Sequence, residues 1–252
     1  MPRRLQLLLG AAVAIVAVAL VIRATTASGG GTVTVYAASS LKAAFSATDA
    51  TPAYSFLASD VLEKQIEAGA PADVFASASP KYAKALAGKG LCSVPVTFAT
   101  NTLVLVTPLA NPGHVNALAD LATGAPVTLA VGNAAVPIGA YTRTLLNGIG
   151  LAAVLTRNTV SSEPDAKSIV AKVALGSADA GFVYVTDWKA AAGKLRVVPI
   201  PASLQPPIAY QVCAVKRSDA NTDGASAFIA RLLGTTGRQA LLKAGFGLPA
   251  AP

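Results

Sequence analysis

Residues 33–45 read "VTVYAASSLKAAF": a β-type run that breaks at two serines and resumes with helical spacing. A strand running straight into a helix is the repeating unit of an α/β fold. What the serines do at the hinge has three readings. Ser39 and Lys42 spell the S-x-x-K of a serine nucleophile. The same hydroxyls serve as helix caps, or as hydrogen-bond donors to an anion held at a helix start.

With 252 residues, 53% of them hydrophobic and 13% charged, the chain can build one large domain or two lobes, and it is far too apolar for disorder. Part of the apolar excess is local. Within residues 1–31, Arg3 and Arg4 precede an unbroken apolar run from Leu7 to Ile22, then small residues and three glycines. That is the layout of an export signal, with Thr25-Thr26-Ala27 as the cleavage site. The run is also long enough that an uncleaved membrane anchor over residues 5–22 stays open. No cysteine follows it closely, which argues against a lipid anchor. An exported protein at the cell envelope, periplasmic or extracellular, is expected.

Three of the positive charges (Arg3, Arg4 and Arg23) lie in this leader, so +5 of the net +8 belongs to the remainder. A mild positive field favours small anions. The lysines and arginines are scattered and not interleaved with aromatics, so nucleic-acid binding has little support. The only histidine is His114, and neither Cys92 nor Cys213 belongs to a CxxC pair, which excludes four-ligand zinc and iron sites. In an exported chain such an isolated pair is expected as a disulfide between Cys92 and Cys213. Chain-entropy models value the long loop it would close at about 4–5 kcal/mol at best.

Short apolar strands alternate with helical segments along the chain. "TVTVYAA", "AYSFLAS", "ADVFASA", "NTLVLVTP", "PVTLAVG", "DAGFVYVTD" and "AYQVCAVK" read as strands. "LKAAFSATDA", "DVLEKQIEA", "PKYAKALAGKG", "GAYTRTLLNGIG", "PDAKSIVAKVALG" and the run "GASAFIARLLGTTGRQALLKAGF" read as helices. This alternation predicts an α/β protein with mainly parallel sheets. In such sheets ligands gather where strands end and helices begin. Four junctions stand out: Ser39-Ser40, Ser59-Asp60, Val136-Pro137-Ile138-Gly139 and Pro164-Asp165-Ala166.

The enzyme reading lacks its other parts. The S-D-N and K-T-G elements that accompany S-x-x-K do not occur, nor does a G-x-S-x-G elbow. His114 sits in "NPGHVNAL" with nothing to mark it as a base. Capping remains the plain reading of Ser40 and Ser59 taken singly. Against it, neither helix carries Glu or Gln at its third position, so no capping box consumes the free backbone N–H groups. Unspent N–H groups at the positive end of a helix dipole make an anion site.

The segments "YAASSLKAAF", "SFLASDVLEKQIEAGAPADVFASA", "VPIGAYTR" and "ADAGFVYVTD" resemble, in order and spacing, the motif series of the periplasmic molybdate-binding proteins of ABC transporters. The likeness runs from about Thr32 to Leu248, and "QIEAGAPADVF" is its most specific stretch. It implies a two-lobed periplasmic-binding-protein fold, each lobe a mainly parallel sheet flanked by helices, with "NTLVLVTP" and "AYQVCAVK" as two crossing strands at the hinge. Lobe one would be 32–101 plus 213–248, and lobe two 102–212. The implied ligand is molybdate or tungstate, held without a cofactor, a cationic side chain or a protein-bound metal. Carried over residue by residue, the donors are the hydroxyls and amides of Ser40 and Ser59, the backbone amides of Ile138 and Ala166, and the Tyr184 hydroxyl. Relatives often have a longer serine run at Ser59, and alanine where Ile138 makes the lining bulkier. The partners implied are the small oxyanion and the permease subunits of an ABC transporter; a monomer is expected.

Neutral donors suit a dianion that carries no proton, and they reject a partly protonated phosphate only if no acceptor faces its hydrogen. Some seven hydrogen bonds to a charged partner, at about 1.5–3 kcal/mol each, would exceed 10 kcal/mol before dehydration and closure are subtracted. Asp60, Glu163 and Asp165 stand close to the donors, so their carboxylates must turn away or pair with lysines. Two alternatives stay open from sequence: another oxyanion such as sulfate, thiosulfate or phosphate, and a membrane-anchored serine hydrolase. Trp188 reads as a packing anchor.

Overall fold

The computed structural model describes residues 31–123 and 126–250. The export signal, its cleavage site and the anchor read over residues 5–22 lie outside the described residues. Among those described, no helix is long and apolar enough to cross a membrane.

Among the described residues ten strands form two five-stranded sheets. The first contains β1 (Thr34–Ala38), β2 (Ala53–Leu57), β3 (Val74–Ser77), β4 (Val96–Asn101) and β10 (Ile208–Ala214), in the order β2-β1-β3-β10-β4. The second contains β5 (Leu103–Pro108), β6 (Leu129–Gly132), β7 (Thr159–Glu163), β8 (Ala180–Tyr184) and β9 (Leu195–Pro199), in the order β7-β6-β8-β5-β9. The helices are α1 (Lys42–Thr48), α2 (Ser59–Glu67), α3 (Pro80–Gly88), α4 (Pro137–Gly148), α5 (Ala153–Asn158), α6 (Ala166–Ala174), α7 (Val185–Ala190), α8 (Thr222–Leu233) and α9 (Thr235–Ala244). β3, β6 and β8 are buried along their whole length. Burial on both faces explains why they read as continuous apolar runs instead of alternating ones.

The sheets are more mixed than the mainly parallel ones expected. β1 pairs in parallel with β2 and β3, and β6 with β7 and β8. The strands next to the crossings, β10 and β5, run antiparallel to both of their neighbours. The chain leaves the first sheet at β4 and enters the second at β5, then leaves the second at β9 and re-enters the first at β10.

The hinge also differs in detail. "NTLVLVTP" is not one strand: β4 ends at Asn101 in the first sheet, and β5 begins at Leu103 in the second. The return crossing runs from β9 through a short 3₁₀ turn (Ala202–Leu204) into β10, and every partner of β10 lies in the first sheet. Ile208, ahead of Cys213, therefore opens the returning segment.

Behind the first sheet's parallel strands, Phe45, Phe98 and Phe228 meet at ring distances of 5.5–6.0 Å. A disulfide joins Cys92 to Cys213, with Cα atoms 5.9 Å apart. It ties the loop after α3 to β10, beside the bridge between Cys92 and Val215.

Candidate functional site

Each sheet presents three parallel strands, and the carboxyl ends of all six point at one small cavity between the sheets. Its volume is about 20 Å³, and its wall includes Ala38, Ser40, Ala58, Ser59, Ala78, Val136, Ile138, Asp165, Ala166 and Tyr184. The five residues singled out in the sequence, Ser40, Ser59, Ile138, Ala166 and Tyr184, all lie on this wall. The first two come from one lobe and the other three from the second. Space slightly larger than one water-sized sphere suits a single compact ion and is too small for a sugar or an amino acid.

Three helices of nine residues or more start on this wall, each for a local reason. α2 begins at Ser59 after an extended Ala58, and α4 begins with Pro137 at its first position. Neither has a side-chain cap, so the first-turn N–H groups are spent on nothing in the helix. α6 starts at Ala166, and Asp165 caps it by accepting from the Ser168 amide at 2.8 Å. Gly139 is required where α4 meets β6, because a Cβ there would lie 1.9 Å from the Asn133 carbonyl oxygen.

The serines are not caps. Ser40 lies within the 3₁₀ turn Ser39–Leu41 that leads into α1, Ser59 lies inside α2, and neither side chain bonds a helix-start amide of its own element. Ser59 is fully buried, and its Oγ accepts from the Ala78 amide at 3.0 Å. The Ser40 Oγ meets the Tyr210 hydroxyl at 2.9 Å. Tyr184 is 2% exposed, and its hydroxyl has no hydrogen-bond partner. Burial holds its phenol well above the usual tyrosine range, so the proton stays on.

No Lys, Arg or His stands on the wall, and Asp165 is its only charged residue. Of the three carboxylates that had to turn away, Asp165 is occupied as the α6 cap and Glu163 accepts from Ser161. Asp60 is buried with its Oδ1 unpartnered, and it does not line the cavity. Among the described residues no cluster of His, Cys, Asp or Glu could hold a metal ion. The lobes touch beside the cavity, where the Tyr82 hydroxyl of α3 donates to the Ala135 carbonyl ahead of α4.

The nucleophile reading finds no support. Lys42 is exposed and makes no hydrogen bond to Ser39, and His114 sits in an exposed turn with φ 52°, away from the cavity wall. Trp188 packs against the core and donates to the Leu195 carbonyl. Sequence reasoning missed Asn101, Tyr210 and the Ala78 amide, which bond to the serines or to their partners. Tyr210 lies 170 positions from Ser40, and no local pattern signals a pairing at that distance.

One carboxylate near the site carries a pH dependence. Asp187 of α7 keeps part of its side chain at the surface, but its Oδ2 is shut from water without a partner. Burial pushes its carboxyl up from 3.8 to about 7. Between those values the folded chain holds a proton that the unfolded chain has shed, so stability falls as pH rises from about 4 to 7. Asp187→Asn removes that slope. Thermal melts are expected to show the variant gaining about 1–3 kcal/mol on the wild type between pH 5 and pH 8. An unchanged gap would contradict the assignment.

A family model described as bacterial extracellular solute-binding protein matches residues 25–247. The chain belongs to that family. It is 33% identical over 231 residues to the molybdate-binding protein ModA of Mycobacterium tuberculosis (strain H37Rv), covering 88% of this chain and 86% of the relative. To ModA of Haemophilus influenzae it is 32% identical over 206 residues, 77% of each chain. Its structure matches the periplasmic molybdate-binding protein of Azotobacter vinelandii with a TM-score of 0.74 and 26% identity, over 86% of this chain and 99% of the other. The protein is thus an exported solute-binding protein, and not an enzyme.

Proposed function

We propose that this solute-binding protein captures molybdate, and tungstate with it, between its two lobes and hands it to the permease of an ABC transporter. The donors are the hydroxyls of Ser40, Ser59 and Tyr184, and the helix-start amides at Ser59, Ile138 and Ala166. Lobe one comprises 32–101 and the returning segment through 248, and lobe two the chain between. Contacts to both lobes at once favour the closed form that the permease receives. The protein acts as a monomer, released to the periplasm or held at the envelope by residues 5–22.

The observation that carries this reading is the Tyr184 hydroxyl. A buried donor with no partner is costly unless something fills the space before it. It faces a cavity with two serine hydroxyls and uncapped helix starts, and no cation competes for the occupant. An anion held by neutral donors answers all of these features. The names of the relatives supply the element.

The test is calorimetric titration with molybdate, tungstate, sulfate and phosphate, on the wild type and on Tyr184→Phe. The wild type is expected to bind the first two tightly, one to one. Tyr184→Phe removes a group that makes no bond in the protein, so the ligand-free variant should melt no lower than the wild type. Its molybdate affinity should fall roughly 10- to 150-fold, the weight of one charge-assisted hydrogen bond. Tight binding of sulfate or phosphate in place of molybdate would keep the fold and change the cargo. Binding of none would remove the proposal.

A further inference from the structure

We propose that the flank of the cleft beside Ser39 and Ser40 is the entry port of the site, where Lys42, Lys167 and Lys194 draw in the oxyanion and set its association rate without holding the bound ion. The inference rests on the oxyanion reading above and adds the route by which the ion arrives.

A second, larger cavity of about 460 Å³ adjoins the binding cavity, and Ser39 and Ser40 line both. One lobe contributes these serines and Lys42 to its wall, and the other contributes Lys167 of α6, Asp187 of α7 and Lys194. The three lysines are exposed, so the cavity opens to solvent. It has room for an ion that still carries its water, whereas the inner cavity of about 20 Å³ admits the ion alone. The interlobe bond from Tyr82 to the Ala135 carbonyl involves no residue of this wall, so an ion can pass here without breaking it.

The lysines are placed against the local electrostatics. Lys42 and Lys167 each stand in the first turn of a helix, where the dipole disfavours a cation. Lys42 on one lobe also shares the wall with Lys167 and Lys194 on the other, like charge with like. Among the described residues none of the three forms an ion pair. Nothing in the fold offsets these costs, and an approaching dianion does. The one carboxylate on the wall is Asp187, which burial pushes up to about 7. Even when ionised it leaves the mouth two positive charges in excess.

Cations at the mouth and neutral donors inside divide the work. A cation in the inner cavity would hold any anion, and it would be costly to desolvate. At the solvent-open mouth the same charge attracts a dianion over about 10 Å at 0.1 M salt. It raises the association rate there and makes no contact with the bound ion.

The test follows radiolabelled molybdate at nanomolar concentration, with association read by rapid filtration and dissociation by a chase of unlabelled molybdate. It is run at ionic strengths of about 0.01 M and about 1 M, where the Debye length is about 30 Å and about 3 Å. The wild type is compared with a mouth variant, Lys42→Gln with Lys167→Gln and Lys194→Gln. A control of equal charge carries Lys64→Gln, Lys84→Gln and Lys216→Gln, three exposed lysines that lie on neither wall. At low salt the mouth variant should associate about tenfold more slowly, with dissociation changed less than about twofold. At high salt its association rate should converge on that of the wild type. The control should stay within about twofold of the wild type at both salts. The mouth variant should melt no lower than the wild type, since its lysines form no ion pair. Equal slowing in the control would assign the effect to net charge, and faster dissociation from the mouth variant would make the lysines ligands of the bound ion; either result overturns the port. If the wild type takes up no molybdate, the oxyanion reading fails and the port falls with it. If it binds molybdate and the mouth variant keeps the wild-type association rate at low salt, the port alone is wrong.

Discussion

In the Ser40→Ala, Ser59→Ala double variant, molybdate affinity is expected to fall by about two to four orders of magnitude. Each hydroxyl belongs to a buried serine and contributes one hydrogen bond to a charged partner, about 1.5–3 kcal/mol. Nothing on the wall can take their place, since no Lys, Arg or His lies there. The two serines are not equivalent in the empty protein. Losing Ser59 strands the buried Ala78 amide, which lowers stability by about 1–3 kcal/mol. Losing Ser40 removes a hydrogen-bond partner of the Tyr210 hydroxyl. Ligand-free melts are therefore measured beside the titrations. A variant that melts as a single transition and still binds molybdate at wild-type strength would take the serines out of the site.

The second large effect is expected far from the cavity. Asp73→Ala should lower stability by about 3–5 kcal/mol, because it removes a buried carboxylate that pairs with the partly exposed Arg217 and satisfies two backbone amides. In a chain of this size that is roughly 6–20 °C in melting temperature. Asp73 is 2% exposed and joins three parts of the first lobe. Its Oδ2 accepts from the Thr34 amide at 2.8 Å at the start of β1. Its Oδ1 accepts from the Arg217 Nη2 and the Asn221 amide, both at 2.8 Å, in the segment between β10 and α8. All these bonds lie at the amino end of β3, while the cavity lies at the carboxyl end. Molybdate affinity of the folded variant should accordingly change less than about threefold. Normal stability with lost binding would be the opposite pattern and would refute this division of labour. The role also explains part of "QIEAGAPADVF": its aspartate is a structural clamp.

Most central strands were readable from the sequence because burial writes itself into them. β3, β6 and β8 are buried along their whole length, apolar but for Ser77, and are followed by helix starts. Three strands were missed, β4, β7 and β9, and all three are sheet edges. β7, "TVSSE", pairs on one side only and leaves Val160 57% exposed, so its composition is that of a loop. An edge strand owes its conformation to a neighbour already in place, and its own residues carry little sign of it. The short helices α5 and α7 went unread because six residues are too few to show a helical period.

The site divides along the same line. Which residues stand at strand-to-helix junctions is a local property, set by where a period-two run gives way to a helical one, and so the junctions holding Ser40, Ser59, Ile138 and Ala166 stand out in the sequence. Their roles as donors, and that of Tyr184, came from the family resemblance. What each hydroxyl bonds to is not local. The Ser40 Oγ meets the Tyr210 hydroxyl, 170 positions away, and Asn101 donates to that same hydroxyl. The Ser59 Oγ accepts from the Ala78 amide, just past the end of a neighbouring strand. These partners arrive only when distant segments pack. Local sequence therefore specifies which residues stand at the strand-to-helix junctions, and the packing of distant segments decides what they meet there.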